Sequence, residues 1–101
     1  RYARHILLRL SPQLSQAQAL SQLAQVRQSI LTGKTSFEAA ARELSQDGSA
    51  AQGGDLGWST PGMFVPEFEE ALDRLKVLEI GTPLVSRFGV HLMQVMERRA
   101  V

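Results

Sequence analysis

The hydrophobic positions along the chain change period several times, and each change marks an element. From Tyr2 to Leu10 they alternate: Ile6, Leu8 and Leu10 share one face, and Ala3, His5, Leu7 and Arg9 the other, which is the period of a strand. Ser11-Pro12 ends it, because proline has no N–H to give a ladder. Between Ser15 and about Thr32 the repeat becomes helical, with Leu20, Leu23, Ala24, Ile30 and Leu31 in one stripe and Gly33 as the stop. Thr35 and Glu38 have the spacing of a capping box ahead of a second helix, where Phe37, Ala40, Ala41 and Leu44 recur at helical spacing. Residues 45–57 are rich in Gly, Ser, Asp and Gln and read as a loop, with Leu56 to Ser59 a candidate short strand. Pro61-Gly62 predicts a type II turn. Pro66 then opens a third helix that carries Phe68, Ala71, Leu72 and Leu75, with acids in its first turn. Pro83 to Ser86 reads as a short strand, Phe88-Gly89 as a turn, and Val90 to Met96 as a last strand with His91, Met93 and Val95 on one face. This order predicts an α+β domain with helices packed on a small sheet.

Composition narrows the function classes. At 101 residues, 44% hydrophobic and 21% charged, the chain suits one globular domain, 1–101. Eleven basic against ten acidic residues leave a net charge of +1, so nothing electrostatic calls for nucleic acid or an anionic membrane as partner. The absence of cysteine excludes disulfides, thiolate nucleophiles and cysteine metal sites. No apolar stretch approaches the ~20 residues of a membrane span. The opening on Arg1, without a signal peptide, fits a domain excised from a longer protein whose targeting segment lies elsewhere.

Few residues can carry chemistry. His5 and His91 lie in the first and last strands, and their imidazoles meet if those strands pair. Isolated strand histidines are more often satisfied structural groups. Zinc would need a third ligand from Asp47 or Asp55, for which no spacing exists, so no metal is expected. Ser-His-Asp catalysis lacks a nucleophile elbow, and Gly53-Gly54-Asp55-Leu56-Gly57 lacks the lysine and helix of a phosphate loop. Trp58, Phe64, Phe68 and Phe88 fall in or beside the glycine-rich half. They read either as core, Phe68 above all, or as an apolar cup with Asp47 at its rim.

The segments Ala3–Leu8, Leu44–Asp47, Gly53–Trp58 and Phe88–Leu92 resemble, in order and over essentially the whole chain, a parvulin-type peptidyl-prolyl isomerase. Ala3–Leu8, Ser45–Asp47 and Gly53–Trp58 are most similar to the second such domain of a periplasmic chaperone of outer-membrane proteins. The resemblance implies a four-stranded antiparallel sheet surrounded by about four helices, no cofactor, and a monomeric domain acting on X-Pro bonds of unfolded clients. It matches His5 and His91 to the family's paired histidines and Asp47 to a position that is cysteine or aspartate. Ser86 falls at a hydroxyl position. Leu56, Phe64 and Phe68 match the walls of the proline pocket, with Phe64 where methionine is usual, and Phe88 joins the substrate-binding set. Arg9 stands alone near the loop 11–15, where phosphate-selective relatives carry a basic cluster, so no phosphate preference is implied. Leu78 departs from the pattern, at a turn position usually held by glycine. The alternative is a catalytically weak peptide-binding module of the same fold.

Overall fold

The computed structural model describes residues 1–99. Four antiparallel strands, β1 (Tyr2–Leu8), β2 (Asp55–Trp58), β3 (Leu84–Ser86) and β4 (Gly89–Glu97), form one sheet in the order β2-β1-β4-β3. Helices α1 (Gln16–Leu31) and α2 (Phe37–Leu44) precede β2, and α3 (Pro66–Arg74) follows it. A fourth helical segment is only a 3-10 turn at Ala50–Gln52, inside the stretch read as loop. No described helix is long and apolar enough to cross a membrane.

Alternation along β1 and β4 gives the sheet two buried faces. Ile6, Leu8, Val90 and Leu92 point to α1 and α2 and pack with Ala19, Leu23, Phe37, Ala40 and Ala41. Ala3, Met93 and Val95 point to the other side and pack with Phe68 and Leu72 of α3. The first strand ends at Leu8, earlier than its alternation suggests, because β4 begins opposite at Gly89 and Val90. Leu10 is therefore exposed, as is Leu31 at the end of α1.

Helix ends also depart from expectation. The capping box lies on α1, where Gln18 N–H donates to Ser15 Oγ and Ser15 N–H donates to Gln18 Oε1. On α2 the cap is Ser36, not Thr35, with Ala39 N–H donating to its hydroxyl. The Pro61-Gly62 turn forms, with Gly62 at φ +94° and Met63 N–H reaching Thr60 O. Leu78 adopts the left-handed conformation that glycine would take freely, at φ +71°. It is held there from both sides: its N–H donates to Val95 O, and Gln94 Nε2 donates to its carbonyl at 2.7 Å. Gln94 in turn accepts from Arg4 Nε at 2.8 Å.

Candidate active site

The histidines come from neighbouring strands. His5 pairs opposite Met93 and Leu7 opposite His91, so the two imidazoles are diagonal neighbours on the α3 face. Their Nδ1 atoms are 3.0 Å apart, and the rings stack at 5.2 Å. Phe68 packs edge-on against both, at 5.4 and 5.0 Å, and Phe64 packs on Phe68. Gly54 is required beside them: it sits at φ +83°, its carbonyl accepts the His5 N–H, and a Cβ there would lie 2.3 Å from His5 O.

The line of contacts extends at both ends. Asp47 Oδ2 lies 3.2 Å from His5 Nε2, at an angle short of a good hydrogen bond, and accepts Ser49 N–H and O–H at 2.9 and 2.5 Å. At the other end Ser86 Oγ is 2.6 Å from His91 Nε2 and accepts the Phe88 N–H at 3.1 Å. Burial pushes the Asp47 carboxyl up, but the hydrogen bonds from the Ser49 side chain and backbone, and then His5, outweigh it and hold the pKa at about 2. At neutral pH Asp47 is an anion.

An anion facing Nε2 places the His5 proton on that nitrogen, leaving Nδ1 as an acceptor. His91 then donates from Nδ1 and receives the Ser86 hydroxyl proton at Nε2, so donors and acceptors match along the line. Both rings are neutral. Burial lowers the His91 pKa, and the neighbouring His5 lowers it further against Asp47 and Glu67, to about 4. Burial also lowers His5, and the contact with Asp47 offsets part of that. The ring nitrogens are turned to each other and to these neighbours, and no group of three metal-ligating side chains occurs among the described residues.

The pair lines a cavity of about 330 Å³, together with Asp47, Leu56, Phe64, Phe68 and Phe88. Seven of the eight expected site residues therefore meet there, and Ser86 touches the site through His91. Trp58 does not join them. Its ring packs against Tyr2 at 5.5 Å with the Arg99 guanidinium 4.1 Å over it, on a different part of the surface. Leu7, Arg9, Met63 and Val65 complete the wall, and Ser49 holds Asp47; Met63, Val65 and Ser49 did not stand out in the sequence. Ser49 had a signal: a serine two residues after an aspartate is the spacing of a local side-chain-to-backbone turn.

The PPIC-type PPIase domain family, also called Rotamase, matches residues 5–97. The chain is 60% identical over 97 residues to Chaperone SurA of Albidiferax ferrireducens, covering 96% of this chain and 21% of that protein. To Chaperone SurA of Escherichia coli O157:H7 it is 50% identical over 101 residues, covering 99% and 24%. The chain thus spans about a fifth to a quarter of the length of these curated relatives. The crystal structure of the peptidylprolyl isomerase PrsA from Bacillus anthracis superposes with a TM-score of 0.85 at 32% identity, over 99% of this chain and 42% of that one. With its paired histidines, its pocket and a family match over nearly its full length, the chain belongs to the PPIC-type, or parvulin, peptidyl-prolyl isomerase domain family.

Proposed function

We propose that this domain catalyses cis–trans isomerisation of X-Pro bonds in unfolded or extended polypeptides. It would act as one parvulin unit, monomeric in itself, of a longer periplasmic chaperone whose clients include outer-membrane protein precursors. The observation that carries the activity is the cavity of about 330 Å³ in which an apolar cup adjoins an ordered Asp47–His5–His91–Ser86 line. Its size suits a proline ring and the peptide groups beside it. The wider role rests on the likeness to Chaperone SurA.

A prolyl bond rotates over a barrier of about 18–20 kcal/mol, and no covalent bond breaks, so no nucleophile is needed. Leu56, Phe64 and Phe68 grip the ring and exclude water. The planar amide is more charge-separated than the twisted one, so a dry wall disfavours the ground state. Asp47 is anionic and acts in the same direction. It repels the carbonyl oxygen of the planar amide, and the repulsion falls as twisting removes charge from that oxygen. His5 and His91 keep Asp47 and the cup in register and exchange no proton with the client.

Exchange spectroscopy by NMR on an Ala-Pro peptide tests this reading. Accelerated exchange is expected with the wild-type domain, and a clear loss with Leu56→Ala. Unchanged exchange at high domain concentration, with peptide shifts that report binding, would replace the enzyme by a peptide-binding module. A phosphoserine before the proline should bring no gain, since Arg9 is the one basic residue lining the cavity among the described residues.

A further inference from the structure

Beyond Arg4, no strand among the described residues lies beside β1 on the edge away from β4, because the pairing with β2 stops there. A loop meets those backbone groups instead. Leu7 N–H donates to Ser45 Oγ at 3.0 Å, Gln46 N–H donates to Leu7 O at 2.7 Å, and Arg9 N–H donates to Gln46 Oε1 at 2.5 Å. Two side-chain oxygens thus stand where a neighbouring strand would present carbonyls. Ser45 does more, since Asp47 N–H also reaches its hydroxyl at 3.4 Å. The same hydroxyl therefore touches the strand that carries His5 and the residue whose carboxylate faces His5 Nε2 at 3.2 Å. Leu7 is buried, so without Ser45 its N–H has no ready replacement partner from solvent.

We infer that Ser45 is a positioning residue, whose hydroxyl ties the Asp47 loop to β1 and so sets the carboxylate against His5. Its consequence for turnover rests on the isomerase reading, whereas its consequence for His5 does not. The groups facing the His5 ring are Asp47, His91 and the Phe68 ring. Of these, Asp47 is the one that raises its proton affinity.

The test compares Ser45→Ala, Ser45→Thr and Ser45→Cys by NMR titration of the imidazoles and by catalysed exchange of an Ala-Pro peptide. Ser45→Ala should move the His5 titration to lower pH and cut the exchange rate by about tenfold to a hundredfold, the upper figure being the scale for a site group misplaced by about 1 Å. Ser45→Thr should restore both. In an Asp47→Asn background Ser45→Ala should leave the His5 titration where it is. A folded Ser45→Ala chain with an unmoved His5 titration overturns the inference, and so does a full shift in the Asp47→Asn background. Should Ser45→Ala fail to fold, Ser45→Cys, a weaker acceptor in the same place, carries the test. Its His5 titration should fall below that of wild type, and no movement overturns the inference. If wild type shows no catalysed exchange, the isomerase reading fails while the titration still decides the role of Ser45.

Discussion

The two faces of the sheet are made from alternate residues of the same two strands, yet they serve different ends. Toward α1 and α2, the centre of the sheet offers Ile6, Leu8, Val90 and Leu92, covered by two helices. Toward α3, the corresponding places hold His5 and His91, with one helix and an open cavity over them. One face stabilises by plain apolar burial. The other gives up part of that burial for two imidazoles that remain neutral only while their neighbours and the pH allow it.

Paired substitutions are the strongest way to break this contrast. Phe37→Ala and Phe68→Ala each remove a buried ring and should lower stability by about 3–5 kcal/mol in chemical denaturation. They should differ in function. The folded fraction of Phe37→Ala should retain its exchange rate per molecule, whereas that of Phe68→Ala should lose it. Equal losses of specific activity would dissolve the distinction between the faces.

Acid should act next, and through the histidine face. A His91 pKa of about 4 in the folded chain lies below the 6.5 of the free side chain, so the unfolded chain takes up the proton first as pH falls. The stability is fully present above about 6.5, declines between there and about 4, and is gone below, a loss of order 3 kcal/mol at 1.36 kcal/mol per pH unit. Denaturation curves between pH 7 and 4 should record this loss, and His91→Phe should flatten it. An undiminished slope in that variant would place the acid sensitivity elsewhere.

The smallest effect lies outside both faces. Leu78→Gly relieves a left-handed residue at φ +71°, and its exposed side chain contributes little packing. Stability should rise by about 1 kcal/mol in thermal melts, with no change in exchange rate. A loss of stability would show that Gln94 and β4 accommodate leucine without strain.

What was legible beforehand follows the same division. Alternation in β1 and β4 and the helical repeats of α2 and α3 are local patterns, so the elements and both faces could be read from them. Contacts set by tertiary register were less visible. Thr35 and Ser36 are adjacent hydroxyls, and only the docked start of α2 selects Ser36 as cap. Trp58 reads as a cup residue by position, but β2 pairs with β1 across an irregular register between Ala3 and Arg4, and its ring packs on Tyr2. His5 and His91 could be placed on pairing strands, whereas their 3.0 Å contact depends on a diagonal register that no local spacing encodes. The aromatics and Asp47 could be read as a cup and its rim or as plain core and loop. The choice between these, with Leu56 and Ser86, came through family resemblance, since an aspartate in a polar loop has no periodicity to betray it.

The most direct measurement of the central claim is an imidazole NMR titration of His5 and His91 run beside catalysed exchange of an Ala-Pro peptide, from pH 8 downward. His91 should stay neutral down to about pH 4 and His5 should titrate below its ordinary value, with a proton on Nε2 of His5 and on Nδ1 of His91. The catalysed rate should stay flat from pH 8 to 6 and fall only as the pair takes up a proton. Independent titration of either ring near 6.5, or a rate that follows such a titration, would contradict it.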